Sequence, residues 1–338
     1  MTSEKGRVLV ILLNYKTPKM TADAMHRSRQ AMRDIDGEIL VVDNDSGDGS
    51  FEYLQNEIGN LELGDGLTQC SIVQSDHNGG FGFGNNVGIR RGLADGSFDY
   101  FYIQNSDAFP SDDAISHLRD FLDHTPSAGF AGSQLHGEDG QPHFTQFRFP
   151  SLASEFEGSI NMGPITKLLK NYQVPIHDLP ENEIVQVDWI AGASIMIRKE
   201  VFDDIGLFDE NFFLYFEEVD LCRRARQHGW TTHFIPSSRV VHLGSVSTGM
   251  GTWTRIPQYW LDSRLYYFEK HFGKFYVTLA TLLLFAGGSL ARLRYLLGGP
   301  RHTGPNGFQV DLLAHFIRNI WRPRPPAVTT KSIVPIVE

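Results

Sequence analysis

Four short apolar runs, each closed by a cluster of polar turn residues, constrain the fold of this chain more than any other feature. Residues 7–14 (RVLVILLN), 38–42, 71–74 and 100–104 are too short for complete helices and read as buried strands. Residues 21–32 and 87–93, lying between them, have helical spacing. Strands alternating with helices predict an α/β fold with a mainly parallel sheet, and such sheets bind ligands beyond the carboxyl ends of their strands. Every polar cluster falls at such an end.

The clusters carry chemistry suited to a nucleotide and a metal ion. Asp43, directly after the second run, can accept the imide proton of a uracil or thymine ring, although VDNDSGDGS is also ordinary turn chemistry. In residues 78–86 (NGGFGFGNN), glycines such as Gly80 let the backbone approach a ligand, and amides such as Asn78 and Asn85 can hold phosphate or ribose. The glycine spacing is not the dinucleotide fingerprint, which argues against a nicotinamide or flavin cofactor. Asp107, closing the fourth run, is placed to hold a divalent cation against a diphosphate; the plainer alternative is a helix cap ahead of Pro110, Asp112 and Asp113. His242 follows an apolar, strand-like stretch and suits either a further metal ligand or a structural histidine.

Residues 212–230 (FFLYFEEVDLCRRARQHGW) set Glu217, Glu218 and Asp220 between an aromatic run and a basic, helix-like segment. Acids crowded against apolar side chains are costly unless paired, hydrogen-bonded or used in chemistry, so this is a candidate catalytic centre. The alternative is a helix N-terminus, with acids at the positive end of the dipole and Arg223, Arg224 and Arg226 further along.

In order along residues 8–248, these segments resemble the inverting family-two glycosyltransferases of the GT-A fold, rhamnosyltransferases among them. ILLNY, which contains Asn14, matches the family's first strand and turn. VVDNDSGDGS matches its VVDNxSxDGS, and NGGFGFGNN its NxGFxxxNN loop. Asn105-Ser106-Asp107 stands where the family has Asn-Pro-Asp, a change expected to loosen the turn while leaving the acid in place. Trp189 and Gly192 fall on the family's acceptor-side W-x-x-G-A, whereas residues 133–188 match only at Phe149-Pro150-Ser151. Residues 206–230 match the long Glu-Asp signature, but Glu218 occupies the place of the catalytic Asp, one methylene longer.

The resemblance implies a nucleotide site that includes Asn14, Asp43, Asn78, Gly80, Asn85 and Asn105, and a donor and acceptor side at Trp189, Gly192, Glu217 and Asp220. It implies a divalent cation, Mn2+ or Mg2+, on Asp107 and His242, the His joining the shell as in rhamnosyl- and galactofuranosyl-transferase relatives. Glu218 would be the base, with Asp220 in reserve. The expected reaction is direct, inverting displacement from a dTDP- or UDP-sugar, with dTDP-rhamnose favoured, onto a saccharide or lipid-linked acceptor in surface polysaccharide or glycolipid synthesis. Two alternatives stand beside it: a sugar-nucleotide nucleotidyltransferase, whose glycine-rich basic loop is missing after the first strand, and an inert scaffold subunit of a glycan assembly complex.

Two cysteines, Cys70 and Cys222, give no disulfide framework, and the beginning of the chain has no apolar signal segment; the expectation is a cytoplasmic enzyme, peripheral on the membrane if it touches one. A formal charge of -10 argues against nucleic-acid binding. From residue 266 onward there are nine Lys or Arg against three Asp or Glu, a net of +6, so residues 1–265 carry -16. We therefore divide the sequence into a catalytic domain, 1–265, and a helical, basic region, 266–338. Residues 275–291 are 17 in a row without a charge or histidine, at the lower limit for spanning a bilayer. A helix lying on anionic lipid, packing on the catalytic domain or pairing protomers are the readings left open. Residues 322–338 read as an extended tail.

Overall fold

The computed structural model describes residues 5–61, 68–160, 162–177, 179, 182–244, 253–300 and 305–323. The end of the His242 stretch at residues 245–248, and all of the expected tail beyond residue 323, lie outside these. In chain order the elements are β1 (Val8–Asn14), α1 (Pro18–Ala31), β2 (Gly37–Asp43), α2 (Ser50–Gly59), β3 (Gln69–Gln74), α3 (Phe81–Asp95), β4 (Tyr100–Asn105) and β5 (Ala108–Pro110). Then come α4 (Ala114–His124), β6 (Ala128–His136), β7 (Gln146–Phe147), α5 (Leu152–Ile160), α6 (Gly163–Leu168), β8 (Val185–Val187), β9 (Trp189–Ile190) and β10 (Ser194–Arg198). The chain continues through α7 (Lys199–Ile205), α8 (Glu217–Gln227), β11 (Thr231–His242), α9 (Gln258–Leu296) and α10 (Phe308–Asn319).

The main sheet runs β3-β2-β1-β4-β10-β6-β11-β5, with β8 added on β11. β1 to β4 are mutually parallel, as the four apolar runs predict. β10 enters antiparallel between β4 and β6, making the sheet mixed. Helices cover both faces, which is why β1 is apolar without alternation. Val8, Val10 and Leu12 pack with Met25 of α1 and Leu118 of α4, while Leu9 and Ile11 pack with Ile89 of α3 and Leu221 of α8.

Residues 79–86 are not the open glycine loop that their sequence suggests. Helix α3 already begins at Phe81, and Gly84, Gly88 and Gly92 form a stripe along it that lies on β1. A Cβ added at these positions would stand 2.5 Å from Leu13, 2.8 Å from Ile11 and 2.5 Å from Leu9, so the glycines bring helix and strand together rather than admit a ligand. Gly80 has a φ of 89°, and a Cβ there would lie 1.8 Å from the carbonyl oxygen of Phe213, which accepts the Phe81 N–H at 2.9 Å. The residue therefore seats the loop ahead of α8. Gly80→Ala is expected to cost about 2–3 kcal/mol through overpacking against backbone and a left-handed φ, read as a drop in urea midpoint at unchanged slope.

The division at residue 266 falls inside α9, and packing corrects it. Leu265, Tyr266, Tyr267 and Phe268 form one cluster with Phe212 and Val219, which flank the acidic segment. Arg264, 2% exposed, pairs with Glu155 of α5. The backbone leaves helical geometry at Gly273 (φ 82°, ψ 173°), and Val277 and Ala280 beyond it still pack in the same cluster, so 266 marks no boundary in the packing.

Candidate functional site

Strand register sets a row of polar side chains at the carboxyl end of the sheet. Asn14 stands opposite Asp43, and Asp43 opposite Gln74. Leu13 pairs with Asn105 on the other side, which brings β4 to the same edge. Asp43 is fully buried: its Oδ1 accepts from Asn14 Nδ2 at 2.6 Å and Ser46 Oγ at 2.5 Å, and its Oδ2 accepts from the Ser46 N–H at 3.2 Å and Gln74 Nε2 at 3.4 Å. In this arrangement the Asp43 carboxylate fixes the turn, and the Gln74 side chain that meets its Oδ2 is exposed. Asn14 is likewise buried, its Oδ1 accepting from Thr21 at 2.7 Å, and acts by holding Asp43.

The amides expected to grip a ligand mostly grip the protein. Asn78 Oδ1 accepts from the Gly80 N–H and from Asn44 Nδ2, each at 3.0 Å, which closes the turn into α3. Asn85 Nδ2 donates to the Phe81 carbonyl at 3.0 Å, while its buried Oδ1 has no hydrogen-bond partner. Asn86 exchanges hydrogen bonds with the backbone of Phe208. Asn105 remains half-buried at the end of β4, its N–H donating to Ala193 O at 3.1 Å.

Asp107 and His242 are 135 residues apart in sequence, yet Asp107 Oδ1 and His242 Nε2 lie 3.2 Å from each other. Strand pairing causes this: β5 runs antiparallel to the end of β11, with Ala108 opposite His242. α4 starts only at Ala114, so Asp107 caps no helix. Among the described residues, no third His, Cys, Asp or Glu joins them in a group able to hold a metal ion. Ser106 does not loosen the turn; it is 5% exposed, and its Oγ accepts from Thr17 Oγ1 at 3.0 Å, tying the β4–β5 turn to the start of α1.

Glu217, Glu218 and Asp220 all lie in the first turn of α8 but diverge in environment. The preceding residues, Tyr215 and Phe216, both have left-handed φ, 68° and 69°, a strained entry of the kind found around functional groups. Burial raises the pKa of Glu218 to about 7, opposed by the backbone N–H of Gly192. Burial and the charge of Glu218 push Glu217 well above the usual carboxylate range. Each has an Oε2 without a hydrogen-bond partner. Glu217 lies under the first turn of α3, 3.7 Å from where a side chain at Gly82 would begin.

Asp220 does not face the site. It is 0% exposed, with Arg224 Nε at 2.8 Å, His271 Nε2 at 2.8 Å and Lys270 Nζ at 2.6 Å around its carboxylate, and these hold its pKa far below the usual range against the effect of burial. Lys270 also reaches Asp209 at 2.8 Å. Arg223, the other cation near in sequence, packs over Phe149 and Phe272 instead. Trp189 stacks on Phe147 at 4.2 Å between ring centres, and its indole N–H donates to Arg148 O at 2.9 Å, so it braces the β7–β9 ribbon that carries Gly192.

The Asp107–His242 pair and the Glu218 carboxylate share one edge of the sheet. Gly192 lies against Glu218, and the next residue, Ala193, binds Asn105, two positions from Asp107. Sequence reasoning missed Ser46, Gln74, Lys270 and His271. Ser46 and Gln74 carry a signal in hindsight, since each follows or ends a strand beside Asp43; Lys270 and His271 carry none.

Residues 62–258 match the family described as glycosyltransferase like family 2. An N-acetylglucosaminyl-diphospho-decaprenol L-rhamnosyltransferase of Mycobacterium tuberculosis is 25% identical over 272 residues, covering 77% of this chain and 82% of that protein. The rhamnosyltransferase WbbL of Escherichia coli is 26% identical over 171 residues, 48% of this chain and 60% of that protein. Among solved structures, the mannosyltransferase PcManGT from Pyrobaculum calidifontis, in complex with GDP-Man and Mn2+, superposes with a TM-score of 0.56 at 14% identity, covering 94% of this chain and 88% of the other. The chain therefore belongs to the family-two glycosyltransferases: it is a sugar-transferring enzyme of the GT-A fold, similar to rhamnosyltransferases.

Proposed function

We propose that this enzyme transfers a sugar with inversion and in a metal-dependent way, from a nucleotide donor to a saccharide or lipid-linked acceptor in surface polysaccharide or glycolipid synthesis. The observation that carries the reading is the meeting of Asp107 and His242, at 3.2 Å, on the sheet edge that also presents Glu218. One carboxylate and one imidazole nitrogen make a donor set that fits a divalent cation whose shell is completed by substrate phosphate and water. Such an ion, Mn2+ by analogy with the mannosyltransferase, supplies positive charge against the departing diphosphate.

The protein's own residues do the rest. Gly192 fixes one side of the Glu218 carboxylate, leaving Oε2 free to take a proton from the acceptor hydroxyl as that hydroxyl attacks the anomeric carbon. A single base on the acceptor side requires no covalent sugar intermediate, so the configuration inverts. The similarity to rhamnosyltransferases favours L-rhamnose carried by dTDP as the donor. Asp43 and Asn14 shape the base-side turn, while Asn105, half-buried at the end of β4, is the amide open to the nucleotide and Asn85 supports the start of α3. The nucleotidyltransferase alternative lacks its glycine-rich loop between β1 and α1, and an inert scaffold has no use for a carboxylate held at a pKa of about 7.

Asp107→Ala tests this. It should abolish the Mn2+-dependent part of dTDP binding in isothermal calorimetry, while leaving the melting temperature without ligand within a few degrees of wild type. Undiminished Mn2+-dependent affinity would remove Asp107 from the site.

A further inference from the structure

Beyond Gly273, helix α9 is apolar on both of its faces. One face, with Val277, Ala280, Thr281, Gly287 and Ala291, is buried, and at Gly287 it presses on α5 so closely that an added Cβ would lie 2.0 Å from Ser159 Oγ. The opposite face, Phe275, Leu282, Ala286, Leu290, Leu293 and Leu297, follows a single helical stripe and stands in solvent, Phe275 at 83% and Leu297 at 80% exposure. α10 repeats the pattern. Val310, Ile317 and the following Trp321 are exposed in line, while Leu312, His315 and Asn319 turn inward. The two stripes meet at a groove of about 370 Å³ that includes Phe275, Ile317 and Trp321.

An apolar surface of this extent on a soluble protein marks an interaction site. Its rim is cationic, with Lys274, Arg292, Arg318 and Arg322 all exposed. We propose that the second half of α9 and α10 form a docking plate that lies in the surface of an anionic lipid bilayer, apolar stripes in the acyl boundary and basic rim among the headgroups. Spanning is disfavoured, because the α5-facing side stays against protein and the 17 uncharged residues reach only about 25 Å of the roughly 30 Å hydrocarbon core. A symmetric pairing of two copies through this face would bring two cationic rims together. Trp321, with Lys274 Nζ 5.3 Å from its ring centre, is placed as an interfacial anchor.

The test is flotation of the full-length protein with vesicles of phosphatidylglycerol and phosphatidylcholine, 1:1, against phosphatidylcholine alone. Binding to the anionic vesicles should be at least tenfold stronger and should weaken in high salt. Leu282→Ser, Leu293→Ser and Trp321→Ser combined should lose tenfold or more. Since those changes touch the folded surface in three places, Arg318→Glu with Arg322→Glu, both exposed, provides a second variant with the same expected loss and an unchanged melting temperature. No flotation with either vesicle, flotation untouched by both variants, or a solution dimer in light scattering that the triple variant dissociates would each overturn the proposal.

Discussion

Replacing Glu218 by Gln is expected to lower turnover by roughly a hundredfold or more while leaving nucleotide affinity near wild type, the usual consequence of losing a general base. The amide keeps the shape of the side chain and the contact with Gly192 but cannot accept the hydroxyl proton. The wild-type pH profile provides a second readout. With a pKa raised to about 7 by burial, the base is protonated and idle below that pH, so kcat/KM should climb through pH 7 and level off above it. Stability should move the opposite way. Between the ordinary carboxyl value of 4.5 and about 7, the folded chain keeps a proton that the unfolded chain releases, so this group's contribution falls as pH rises through that window, and the Gln variant should lack that fall. Glu218→Asp restores the family's residue in a pocket fitted to the longer acid and should retain partial activity. Wild-type turnover in a folded Glu218→Gln protein would place the base elsewhere.

Asp220→Ala should destabilise the fold by about 3 kcal/mol, because it removes the buried carboxylate between Arg224, Lys270 and His271, although Lys270 keeps Asp209 and Arg224 keeps two backbone carbonyls. Urea denaturation followed by far-ultraviolet circular dichroism would measure it. The pKa of Asp220 is held far below 3.8 by the His271 hydrogen bond and by Arg224 and Lys270, which outweigh burial. Its stabilisation is therefore complete above the unfolded value and lost only as pH falls toward the folded one, so the gap between wild type and variant should close in strong acid. Whatever fraction of Asp220→Ala stays folded should turn over at a rate well above that of Glu218→Gln. A stable but inactive Asp220→Ala would reverse the two assignments.

The strands up to β4 were legible because buried parallel strands are short, apolar and end in turns, and each of those properties is local. The start of α3 was not: glycines at 80, 82 and 84 look like a loop until the partners they approach are known, and those are Phe213 and Phe208, more than 120 residues later, and Leu13 of β1, 71 residues earlier. Asp107 was readable as a strand-end acid, but its meeting with His242 depends on β5 pairing with β11, which no local pattern encodes. Asp220 shows the same limit. Basic neighbours in sequence are Arg223 and Arg224, and Arg224 is indeed there, yet two of its three side-chain partners come from α9, about 50 residues on. Charge counting separated the tail at residue 266, within a helix whose first half completes the core.

The break at Gly273 has a mechanical consequence. A continuous helix transmits tilt and torque along its length; one non-helical residue between Phe272 and Lys274 interrupts that axis. The two halves stay coupled across the joint, since Arg264 of the near half donates to Thr281 of the far half at 3.2 Å and Val277 packs in the cluster that holds Tyr267, a few residues before Lys270 and His271. A push on the outer helices would therefore reach the clamp on the acidic turn of α8 through side-chain packing rather than along the helix axis.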